Sequence, residues 1–171
     1  MKFILDSDLH FKVQQPDNVV RIKPDKKDDV QKIINVANEQ GIEVVLAAGD
    51  LTENGYRPSC WDTLCCCVKH SLEGDQFRGY VEQFVTPIES NVPNMTVYSC
   101  MGNHDHYVPW PYRYKPVRTY IKKRHGNVHY DFVKENVHFI CCDVYPNAKV
   151  IRWLRPTLKK NLLGKVIFFH Y

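Results

Sequence analysis

No apolar run in this chain approaches the roughly 18–20 residues that a membrane span needs. The start, Met1-Lys2-Phe3-Ile4-Leu5-Asp6, meets a carboxylate too early for a signal peptide. Both absences speak against a membrane-spanning or secreted protein, and the expected setting is the cytoplasm. The seven cysteines, Cys60, Cys65, Cys66, Cys67, Cys100, Cys141 and Cys142, are odd in number and contain no C-x-x-C pair. A disulfide framework or structural zinc site therefore has little support, and buried thiols in a reducing compartment are expected. Ten prolines and eight glycines are too few for a collagenous or low-complexity chain. The chain also lacks an internal repeat and an interdomain linker.

What remains is ordinary globular material. The 171 residues are 44% hydrophobic, 12% aromatic and 25% charged, enough for one domain with a real core. The net charge of +4 hides an asymmetry. Met1 to Asp105 carries 10 Lys and Arg against 16 Asp and Glu, whereas His106 to Tyr171 carries 13 against 3. Between His106 and Tyr130 there are six basic residues and no acid. Such a stretch attracts phosphate or nucleic acid, or serves as a solvated face.

Hydrophobic patterning predicts alternating strands and helices. Lys2 to Leu5 reads as a buried strand, and Gln14 to Pro24 as a loop. Val30, Ile33, Ile34 and Ala37 fall on one face of a helix over Lys26 to Gln40, with Asp25 as its cap and Gly41 at its stop. Ile42 to Ala48 is a second apolar strand. Strand, helix, strand implies a parallel pair. Trp61 to Pro87 reads as helical with interruptions near Gly74 and Gly79, and Met95 to Met101 as a third strand. Pro109 to Pro116 is a Pro- and Tyr-rich loop before a short helix, Val117 to Arg124, closed by Gly126. His129 to Val133 and Val137 to Val144 form a hairpin around Lys134-Glu135-Asn136. A helix over Ala148 to Leu163, kinked at Pro156, precedes a last buried strand, Lys165 to Phe169.

Each strand ends in residues able to bind a metal: Asp8 and His10, then Asp50, then Asn103 and His104, then His170. Singly, these would serve as caps, turn residues or surface histidines. Ligands of open α/β sheets gather at the carboxyl ends of strands, so the four ends converge on one rim. Mixed Asp, His and Asn donors suit a pair of borderline ions such as Mn, Fe or Zn, with a shared carboxylate holding a hydroxide between them.

Asp8-Leu9-His10, Gly49-Asp50-Leu51-Thr52 and Gly102-Asn103-His104-Asp105 resemble the first three blocks of the calcineurin-like metallophosphoesterase family. Phe168-Phe169-His170-Tyr171 resembles the fourth. The look is closest to the small cyclic-nucleotide phosphodiesterase-like members. The resemblance implies one α/β domain over 1–171, a β-sandwich of two mixed sheets flanked by helices. It implies that Asp8 and His10 bind a first metal, Asp50 bridges, and Asn103 and His170 bind a second. His104, polarised by Asp105, would protonate the leaving group. The family's fifth block, Gly-His-x-His, does not follow His170. The chain is therefore expected to be a fragment lacking its last strands, the other explanation being a degenerate site.

The implied activity is hydrolysis of a phosphomonoester or diester by a bridging hydroxide attacking in line. Arg113, Lys115 and Arg118, in the basic and aromatic segment after Asp105, are candidates to clamp the substrate phosphate. Two alternatives stand beside this reading: an inactive scaffold that keeps the fold, and a nuclease drawing on the basic second part of the chain.

Overall fold

A computed structural model describes residues 1–14, 19–21, 27–53, 71–106, 116–160 and 162–170. The first strand, β1 (Ile4–Asp6), is followed by a small antiparallel hairpin of β2 (Lys12–Gln14) and β3 (Val19–Arg21). That hairpin falls where a loop was expected. Helix α1 (Lys27–Gln40) then leads to β4 (Val44–Ala48). Gly41, at φ +63°, ends α1 in the left-handed conformation that glycine adopts most cheaply. The expected cap, Asp25, lies outside the described residues.

Helix α2 (Ser71–Tyr80) passes through Gly74 and Gly79 without interruption. The irregularity comes later, as a single π turn at Val81–Val85 before α3 (Thr86–Asn91). Next come β5 (Thr96–Cys100), the one-turn α4 (Asn103–His106), and α5 (Pro116–His125). The hairpin β6 (Tyr130–Lys134) and β7 (Val137–Cys141) turns on Glu135 and Asn136 alone, both at positive φ, the two-residue turn whose twist suits a hairpin. Asn147 caps α6 (Ala148–Thr157), its side chain accepting from the Lys149 and Val150 amides. The helix stops just after Pro156 rather than kinking and continuing to Leu163. Strand β8 (Gly164–Phe168) closes the described fold.

Besides the β2–β3 hairpin, the described strands form two three-stranded sheets, the two that were expected. In the first, order β1-β4-β5, every pair is parallel. In the second, order β6-β7-β8, β6 runs antiparallel to β7 and β8 parallel to it. Central β4 is buried throughout. The flanking β1 and β8 are not: Leu5 is 61% exposed and Ile167 45%. A continuous apolar run does not establish burial on both faces, because a strand at a sheet edge covers only one of them.

One core joins α1, both sheets, α3 and α5 through Ile33, Ala37, Val45, Ile88, Val97, Ile121 and Phe139. Between the sheets, Tyr98 stacks on Phe132, and the Tyr130 hydroxyl donates to the Ser99 carbonyl at 2.9 Å. Among the described residues, no helix is long and apolar enough to cross a membrane.

His125 belongs to the same aromatic column, 4.3 Å from Tyr130 and 5.4 Å from Tyr98 between ring centroids. Its Nε2 is buried without a hydrogen-bond partner. Burial, helped by the Arg124 charge, pushes its pKa down from 6.5 to about 4. The unfolded chain then binds the extra proton first as pH falls, so stability declines from about pH 6.5 towards pH 4. His125→Phe keeps the stack and removes that proton. Urea denaturation at about pH 7 and about pH 4.5 should show a smaller loss for the variant than for the parent.

Candidate metal centre

The parallel sheet continues past its strand ends. Asp8 N–H donates to the Gly49 carbonyl at 3.2 Å, His10 N–H to Asp50 at 2.8 Å, and Phe11 N–H to Leu51 at 3.1 Å. Leu9, Phe11 and Leu51 are fully buried and anchor this extension. The polar residues between them are thereby held on the rim. Asp8, His10 and Asp50 sit at φ +58°, +47° and +47°. Left-handed backbone at a non-glycine residue costs roughly 1–2 kcal/mol, so three together mark strain retained for a purpose.

Two glycines permit the approach. A Cβ on Gly49 would lie 2.2 Å from the Cβ of His170. A Cβ on Gly102 would lie 2.1 Å from both the Asp50 amide and its Oδ1. The second clash meets backbone and a buried carboxylate, neither of which can swing away.

Three imidazoles converge on one oxygen. The Nε2 atoms of His170, His10 and His104 lie 3.3, 3.6 and 3.9 Å from Asp50 Oδ2. Asp8 Oδ1 lies 3.7 Å from His10 Nε2 and 4.0 Å from His170 Nε2. The other ring nitrogens turn outward. His170 Nδ1 donates to the Ala48 carbonyl at 2.9 Å, and His104 Nδ1 to the Glu53 carbonyl. His10 Nδ1 is 3.1 Å from Glu53 Oε2 without making a hydrogen bond. Outward contacts of this kind set the tautomer and leave Nε2 as the inward donor. Burial works against ionisation of Asp8, but the Ser7 hydroxyl and the nearby His170 and His10 hold its carboxyl below the usual value.

This donor set fits metal ions. With Nδ1 of His170 and of His104 turned to backbone carbonyls, their Nε2 atoms face the same space as the carboxylates of Asp50 and Asp8, as candidate metal donors. Ligands on one ion, at bonds of about 2.0–2.2 Å, stand about 3–3.5 Å apart, close to the spacings here. Two sets of donor atoms lie within 4.8 Å of one another: Asp8, Asp50 and His170, and His10, Glu53 and His104.

Other predicted residues fall beside this group. Asn103 opens α4, half-buried, next to His104, whose amide donates to Asp50 Oδ1 at 3.0 Å. Asp105 does not polarise the His104 ring as expected. Its buried carboxylate accepts from Gly102 N–H at 2.9 Å, Leu51 N–H at 3.1 Å, and both the amide and hydroxyl of Thr52 at 2.9 Å. It ties the turn after β5 to the turn after β4. Arg118 lies on α5 with Nη1 3.5 Å from Asp143, while Arg113 and Lys115 lie outside the described residues. Sequence reasoning missed Glu53, three residues beyond Asp50, and His106 and Asp143. Glu53 was accessible as another acid after an apolar strand, but the other two have no local signature.

Fold and site together define an α/β protein with a carboxylate- and imidazole-lined centre on its strand-end rim. The chain belongs to the calcineurin-like phosphoesterase family, whose model matches residues 1–160. That is a family of metal-dependent phosphoesterases, and two groups of candidate metal donors lie together on this rim. Among curated proteins, none matches the chain.

Gly102→Ala tests the packing of this centre. The added methyl should destabilise the fold by about 1–3 kcal/mol and weaken Mn²⁺ binding at least ~10-fold by displacing Asp50. Thermal melting and isothermal titration calorimetry measure the two effects.

Proposed function

We propose that this protein hydrolyses phosphomonoesters or phosphodiesters with two bound divalent or trivalent ions, Mn, Fe or Zn. The observation that carries this reading is the convergence of three imidazole nitrogens on Asp50 Oδ2, with Asp8 beside it. Asp8, His10 and Asp50 would hold one ion, and Asp50, Asn103 and His170 the other. Bound there, the ions supply Lewis acidity towards the phosphoryl oxygens and lower the pKa of a water molecule.

The chain's own groups do the rest. His104 is the most exposed imidazole of the three, with its side chain 37% accessible against 11% for His10 and 12% for His170. It is the one a substrate reaches. With Nδ1 committed to the Glu53 carbonyl, its Nε2 is the atom that passes a proton to the departing alkoxide. Arg118, on α5 with its guanidinium 3.5 Å from Asp143, would supply positive charge to a substrate phosphate. The family match over residues 1–160 supports reading 1–171 as one such domain.

His104→Ala tests the assignment. Its kcat on an alkyl phosphodiester should fall about 10²–10⁴-fold, with metal content by mass spectrometry unchanged. Turnover at the parental rate would refute the role of His104. A parent protein that takes up no Mn, Fe or Zn and turns over no phosphoester would instead be the scaffold.

A further inference from the structure

Helix α4 carries Asn103 and His104, yet has only four residues. One turn has too few internal hydrogen bonds to hold itself in place. Its position must come from side chains at its far end. Asp105 fastens one side to the turn after β4. The next residue faces the other sheet: His106 Nε2 lies 2.6 Å from Asp143 Oδ1, just past the end of β7.

Asp143 is built into the fold. It is 7% exposed, and its second oxygen accepts from Arg118 Nη1 at 3.5 Å. Tyr145 packs edge-on against the His106 ring, with centroids 5.2 Å apart. Burial pushes the Asp143 carboxyl up, but the hydrogen bond and charge of His106, with Arg118, outweigh it and keep it below the usual range. An ionised, buried carboxylate with two cationic-capable partners from α4 and α5 is a strong fixed point.

We propose that Asp143 is a positioning residue: through His106 it clamps α4 to the second sheet and keeps His104 in place above Asp50. The clamp rests on the reading of His104 as proton donor. Asp105 and His106, successive residues of α4, are then held from opposite sides, the first by the turn after β4 and the second by Asp143, and His104 is the residue just before that grip. Displacement of a positioned group by about 1 Å costs on the order of 10²-fold in rate, so a loosened α4 should register in catalysis before it registers in stability.

The test uses Asp143→Asn, His106→Phe and the double variant, each compared with the parent by thermal melting. His106→Phe keeps a ring against Tyr145 and deletes the nitrogen. Turnover is measured on an alkyl phosphodiester, whose leaving group needs a proton, and on bis(p-nitrophenyl) phosphate, whose leaving group does not. Each single variant should lose at least ~10-fold in kcat on the alkyl ester and under ~3-fold on the nitrophenyl ester, with KM little changed. The double variant should be no worse than the worse single variant. Hydrogen exchange of the α4 amides, which needs neither metal nor turnover, should quicken ~10-fold in each.

Equal losses on the two esters, additive losses, or unchanged exchange would overturn the clamp. A parent inactive on both esters would sink the hydrolase reading instead, and exchange alone would then decide the clamp.

Discussion

Asp50 Oδ2 is the point on which the molecule turns. Three imidazole nitrogens approach it within 3.9 Å, from the ends of β1, β5 and β8. Each approach imposes a condition elsewhere. The carboxylate must be buried, so its other oxygen is satisfied by the His104 amide. Gly49 and Gly102 must lack side chains, because His170 and Asp50 occupy the space a Cβ would need. Asp8, His10 and Asp50 must accept left-handed backbone. None of these conditions stabilises the chain on its own. The buried run of Leu9, Phe11 and Leu51 and the continued ladder of hydrogen bonds offset them.

The second sheet is more than a cover for the first. It delivers His170, whose Nδ1 reaches across to the Ala48 carbonyl at the end of β4. It also delivers Asp143 to His106. Between the sheets Tyr98 stacks on Phe132, which stacks in turn on Phe139, its cross-strand neighbour in the second sheet.

The parallel core and the rim were legible because they rest on local signals. β4 and α1 announce themselves by apolar run and helical period, and each strand end carries its polar residue in sequence. Edge exposure was not legible, since Leu5 and Ile167 face solvent only by virtue of where their strands sit in a sheet. The role of Asp105 was misread for a related reason. Adjacency to His104 implied a pairing, but consecutive residues on a helical turn point in different directions, and Asp105 turns towards Thr52 and Gly102. Asp143 and His106 are 37 residues apart, and only the folded rim makes them neighbours.

Two carboxylates and three imidazoles crowd the rim, with Nε2 atoms 3.3–4.0 Å from the carboxylate oxygens, on backbone at positive φ at three positions. A cation held there would offset the repulsion between the carboxylates, and a ligand that binds only the folded chain would stabilise it. The same logic explains why the ligands are anchored by groups pointing away from the centre. The Ala48 carbonyl, the Glu53 carbonyl and Asp105 hold the rings and turns in position whether or not the cation is present, so the preorganisation lies in the outer contacts.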